Sequence, residues 1–304
     1  METLFSSAVL ALISINILIV VSLWIPLYSG VISLGLAGFM VAGGLVSGYL
    51  SKEGVPFIVA VAAGTMAGAV LGVGPALLAL RVKALYLAIA TLAFAELALV
   101  VVRNFEPLGG VQGLSGFPPV EAPVLVGITA VVILLSVLFF RSRLGRVCEA
   151  VSHDPIAAAS CGINVGQLQM QMTIVGAAIS GLAGALYAQY YGYVGPSSFG
   201  FATVVRGLLF LVVGGLTPAG AVLGATSFSL LPQYLSFLEG WMDAVYGAIV
   251  IVVLVFLPRG LLSKGTFSRQ VRSRFFDRSS SDATPDTRAG RPSTPTPSSK
   301  EDAT

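Results

Sequence analysis

Solid apolar runs of roughly 20 residues recur along most of this 304-residue chain, and they constrain its fold more than any other feature. As a helix rising 1.5 Å per residue, such a run matches a hydrocarbon slab about 30 Å thick. The runs lie at about 4–27, 31–50, 56–80, 84–102, 123–140, 169–190, 203–216, 218–235 and 241–257. Only 10% of the residues are charged, whereas a soluble domain carries about 25%. The pattern predicts an all-α polytopic membrane protein with eight to ten transmembrane helices. A β-barrel would show alternating segments of about ten residues instead.

Orientation follows from the basic residues, which favour the cytoplasmic side. Arg81 and Lys83, Arg141, Arg143 and Arg146, and Arg259 flank segment ends that this rule places inside. Loops 51–55, 103–122 and 191–202 then fall outside, with the N-terminus outside and the C-terminus in the cytoplasm. The first run lacks a basic leader and a small-residue cleavage site, so it is expected to be a transmembrane helix and not a cleaved signal. Residues 1–263 form the expected membrane domain, with 145–166 as a cytoplasmic loop. Residues 264–304, rich in Ser, Thr, Pro and Arg, are expected to be a disordered cytoplasmic tail. Arg269, Arg272 and Arg274 there could meet anionic lipid headgroups. The net charge of +3 resides largely in this tail and gives no sign of a nucleic-acid partner.

Two short repeats suggest an internal duplication. GLAG occurs at 35–38 and 181–184, and AGAVLG at 67–72 and 219–224, offsets of 146 and 152. Under a duplication, 203–232 would correspond to 56–80 and could form one broken crossing. Gly35, Gly38, Gly43, Gly44 and Gly48, then Gly64, Gly68, Gly72 and Gly74, leave room for close helix packing. Alternatively, glycine-broken helices would expose backbone polar groups to a transport path.

Chemistry is sparse. No segment fits G-x-x-x-x-G-K-[ST], so any nucleotide must sit on another chain. Gly113-Leu114-Ser115-Gly116 has the look of an intramembrane serine protease motif. Its serine would need a base, and the only histidine, His153, falls on the opposite side, so no enzyme is expected. Cys148 and Cys161 are read as packing residues, because the loop is cytoplasmic. One histidine and two cysteines cannot supply a zinc site of about four ligands, so no metal or cofactor is expected. Glu96 and Arg206 lie inside apolar runs, where charge is costly. They either tie two helices together as a buried pair or face the two ends of a zwitterion.

One polar loop carries its own punctuation. Asp154 suits an N-cap, Pro155 the first helical position and Gly162 the left-handed residue after a helix end. A helix of about seven residues would span roughly 10 Å and could not stand alone. It must dock on something.

Seven stretches now come together: SLGLAGF (33–39), RVKALYLAIATLAFAEL (81–97), NFEPLGGVQGLSGFP (104–118), GRVCEAVSHDPIAAASCGIN (145–164), SGLAGALYAQYYGYVGPSSF (180–199), GGLTPAGAVLGA (214–225) and LPRGLL (257–262). With these the chain resembles the M-type permease subunit of ABC importers for branched-chain amino acids. The resemblance implies that Glu149, Ala150, Asp154, Ala157, Ala158 and Gly162 form the E-A-A…G coupling helix that sits in a cleft of an ATPase. His153 stands where that pattern carries a charged residue. The resemblance further implies a homologous second permease, two cytoplasmic ATP-binding subunits, an extracytoplasmic binding protein and a bacterial or archaeal cytoplasmic membrane. Permeases for urea or short amides are similar. An ion-coupled secondary transporter using Glu96 as carrier is the rival from another class.

Overall fold

The computed structural model describes residues 7–80, 82, 84–106 and 109–234. The apolar run 241–257, the stretch LPRGLL, the tail with its arginines, Arg81 and Lys83 lie outside the described residues. Ten α-helices follow one another in the described part: α1 (Ser7–Tyr28), α2 (Leu36–Lys52), α3 (Phe57–Ala79), α4 (Ala84–Arg103), α5 (Ala122–Arg141), α6 (Arg143–His153), α7 (Pro155–Ser160), α8 (Val165–Tyr191), α9 (Phe201–Gly214) and α10 (Pro218–Tyr234). Among the described residues α1, α3, α4, α5 and α8 are long and apolar enough to cross a membrane. Helix α2, with 17 residues, rises about 26 Å, and α9, with 14, about 21 Å, short of a typical slab. The fold is that of an all-α polytopic membrane protein.

Helix α1 is apolar all round, the pattern of a helix enclosed by others. Leu18, Val20 and Trp24 are fully buried. Its one strongly polar mid-span side chain, Asn16, donates to Ser229 Oγ of α10 at 2.8 Å. Gly207 of α9 rests on Ile19 and Leu23, and Gly176 of α8 rests on the Ser22 carbonyl beside Pro26.

Glycines place α2, α3 and α8 in backbone contact. A Cβ at Gly43 or Gly68 would run into Gly181, and one at Gly64 would meet the Gly43 carbonyl. Helices α2 and α3 are continuous through these positions, so there the glycines serve packing and the glycine-broken alternative does not apply. The repeats take different settings. GLAG opens α2 but lies mid-way along α8, and AGAVLG lies mid-way along α3 but opens α10.

Helices α9 and α10 fold back on each other. Gly214 meets Gly220, Gly224 meets the Phe210 carbonyl, and Phe210 stacks on Phe228 at 5.3 Å. The pairing runs antiparallel about the turn at Gly215, so 203–232 is a hairpin and not one broken crossing.

The two ends of the bundle differ. At one end β1 (Leu114–Ser115) pairs antiparallel with β2 (Tyr193–Val194), and the Val120 amide donates to the Gln189 carbonyl at 2.8 Å. Gln189 is buried there and donates to Ser47 Oγ at 2.9 Å. At the other end the turn after α1 meets α6 and the start of α8. Loops 103–122 and 191–202 therefore share one end, and 141–168 lies at the opposite end.

Candidate coupling site

Helix α5 stops at Arg141, and Ser142 starts the next helix, its Oγ accepting from the Gly145 amide at 3.1 Å. The resulting α6 departs from the expectation of a loop over 141–154. Its buried face is Gly145, Cys148 and Val151, which spaces small residues three apart. Burial pushes the Cys148 thiol from an ordinary 9.0 up to about 11.

Asp154 closes α6 and caps α7. Its Oδ1 accepts from the amides of Ile156 at 2.9 Å and Ala157 at 3.0 Å. Pro155 takes the first helical position, as expected. At the far end the Gly162 amide donates to the Ala159 carbonyl at 3.0 Å and Ile163 to the Ala158 carbonyl at 3.3 Å. This double closure is a Schellman motif, with Gly162 left-handed at φ +83. Asn164 then caps α8, its Oδ1 accepting from the Gln167 amide at 3.1 Å. Only residues 161–164 separate α7 from α8.

The face that α7 offers outward is Ile156, Ala157, Ala159 and Ser160, with Ile156 79% exposed. Ala158 points the other way. It is buried in the chain's own core, beside the half-buried Ile163 that closes the helix. The expectation that Ala158 faces a partner groove is therefore corrected: at six residues the helix presents one outward stripe, and Ala158 is on the reverse. Ile156 is a contact candidate that the sequence offered only as an apolar side chain next to a cap in a polar loop.

Glu149 and Ala150 sit on exposed positions of α6. Glu149 Oε2 accepts a hydrogen bond from Tyr28 Oη at 3.1 Å. Tyr28 stacks on Trp24 at 5.2 Å, and Phe139 and Phe140 of α5 complete the aromatic cluster. The Tyr28 partner was invisible in sequence.

Glu96 and Arg206 do not form the buried tie that was one expectation. Both are exposed, one on α4 and one on α9. The buried stripe of α4 runs through Thr91, Ala95 and Leu99 and that of α9 through Val204, Gly207 and Leu211, and Glu96 and Arg206 fall outside these stripes. Ser115 lies on β1 and His153 at the end of α6, beyond opposite ends of the 27-residue α8, about 40 Å long. Ser115 and His153 therefore do not pair.

The family model for the branched-chain amino acid transport system permease component matches residues 5–254. The chain belongs to that family. Among relatives in it, the high-affinity branched-chain amino acid transport system permease protein LivM of Salmonella typhimurium is 26% identical over 272 residues, 77% of this chain. LivM of Escherichia coli K12 is 27% identical over 273 residues. LivH of Salmonella typhimurium is 32% identical, over 52% of each chain. The longer LivM matches put the chain with the M-type permeases. The match spans 64% of the length of both LivM relatives. No solved structure matches the chain.

Proposed function

We propose that the chain is the translocating M-type subunit of an ABC importer for leucine, isoleucine and valine. It works in the cytoplasmic membrane beside a homologous second permease. Two cytoplasmic ATP-binding subunits drive it, and an extracytoplasmic binding protein delivers substrate to the end that carries β1 and β2. The observation that carries this reading is α7: a short helix, closed at both ends, presenting Ile156 to solvent and joined to α8 by four residues. A rigid block of this kind suits seating in a cleft and pushing on a long helix. Family membership and the missing phosphate loop support the same reading.

Glu96 and Arg206 are assigned to the substrate path. A charge facing hydrocarbon costs about 2.5–3.5 kcal/mol or more, so their exposed faces are better suited to a watery path or to the second permease. There the pair meets the ammonium and carboxylate ends of an amino acid.

The test is uptake of labelled leucine by liposomes holding the permease pair and the ATPases, with the binding protein outside. Uptake should require ATP on the ATPase side and fall when excess isoleucine or valine is added. Uptake of urea in place of leucine would move the assignment to short amides, and no ATP-dependent uptake of either would end the importer reading.

A further inference from the structure

The turn that follows α1 touches both arms from which α7 hangs. On the α6 arm, Tyr28 Oη donates to Glu149 Oε2 at 3.1 Å. One turn further along α6, Gly30 lies against Ser152, and a Cβ at Gly30 would stand 3.3 Å from the Ser152 Cα. Gly30 reaches this approach with a left-handed φ of +84, which a side chain would strain. On the α8 arm, Gln169 Nε2 donates to the Ser29 carbonyl at 3.3 Å. The turn itself is held by amides of Ser29 and Val31 on the Pro26 carbonyl, at 3.1 and 3.0 Å. Behind it, α1 packs against α5, α8, α9 and α10, with Trp24 fully buried.

We infer that Tyr28 is a positioning residue of the transport cycle: its hydrogen bond to Glu149 carries the displacement of α7 into α1 and so into the bundle. The inference rests on the importer reading. It changes the role of Glu149, one of whose oxygens is committed to the chain's own first helix, so the acid holds the coupling helix in place from behind. The hydrogen bond joins parts of the chain 121 residues apart, so no local structure would replace it.

Tyr28→Phe removes the hydroxyl and keeps the ring stacked on Trp24. In the assembled importer this variant should co-purify with the ATPases as the wild type does and unfold at a similar temperature. Leucine taken up per ATP hydrolysed should fall about threefold to tenfold, the scale of one hydrogen bond. Glu149→Gln keeps an oxygen acceptor and should retain most of the coupling, whereas Glu149→Ala should lose it. Tyr28→Phe combined with Glu149→Ala should be no worse than either alone, the signature of one shared contact. Should Tyr28→Phe reduce yield, Glu149→Ala reads the same bond from the exposed side. Unchanged uptake per ATP in Tyr28→Phe would overturn the inference. So would detachment of the ATPases by Glu149→Ala with Tyr28→Phe silent, which would place the carboxylate on the partner. A wild-type complex without ATP-dependent uptake would instead remove the importer reading beneath it.

Discussion

Cys148 and Cys161 lie in the same loop of the sequence, yet they differ sharply in surroundings: the first is fully buried and the second exposed. With its thiol pushed up to about 11, Cys148 stays protonated at neutral pH and out of reach. A maleimide at pH 7.5 should therefore modify Cys161 alone in the folded chain and both cysteines after denaturation; equal labelling of both before unfolding would contradict the burial. The sign of the pH effect follows. A pKa raised on folding means that the stabilisation from burying the neutral thiol is complete below the ordinary 9.0 and is lost as pH rises toward about 11. Melting temperatures measured across that window should fall less steeply for Cys148→Ala. A second pair of substitutions separates the two faces of α7. Ala158→Trp forces a large ring into the chain's own core, where overpacking costs about 1–3 kcal/mol, and should lower the yield of folded permease. Ile156→Asp changes only the outward stripe. It should leave expression and melting unchanged while reducing co-purified ATPase, and full ATPase recovery would exclude Ile156 as a docking contact.

At the scale of elements, α7 was legible in sequence because its signals are local: a cap, a proline and a glycine within nine residues, Asp154 to Gly162. Helix α6 was missed for its length and not for lack of pattern: RLGRVCEAVSH is amphipathic at helical spacing, but its eleven residues are few beside the long apolar runs that the reading followed. The direction of Ala158 and the partner of Glu149 were out of reach for a different reason. Both depend on which surface the coupling loop lies against, and that surface comes from α1, far away in the chain. Among the described residues the long apolar helices were legible to within a few residues, since length and apolarity decide them. How α9 and α10 meet was not, because Gly214, Gly220 and Gly224 allow a close antiparallel seam that hydropathy cannot distinguish from a kinked single rod. The opposite ends of the bundle give a further test. In a background lacking the native cysteines, Ser115→Cys should react with an impermeant thiol reagent applied outside cells and Ser160→Cys should not. The reverse pattern would invert the proposed orientation, although the two positions would remain at opposite ends.

For the whole molecule, the glycine contacts among α2, α3 and α8 are the least forgiving part of the structure. Gly181 meets the backbones of both partner helices, so Gly181→Leu should cost more melting temperature in detergent than Gly162→Val, whose Cβ would meet open space and only backbone strain. Equal losses would argue against the seam as the centre of the bundle. Energy supply is also a property of the whole. Collapsing proton and sodium gradients with ATP maintained should leave leucine uptake intact, whereas arrest under those conditions would favour an ion-coupled carrier working through Glu96. The β1–β2 ladder, finally, bears on how such a protein can change over evolutionary time. Its pairing is made by main-chain groups, and of its four side chains Leu114 and Val194 are buried, Tyr193 is half-buried and Ser115 alone is exposed. A substitution at Ser115 therefore changes the surface offered to whatever lands there, while the main-chain pairing and the bundle beneath it stay as they are.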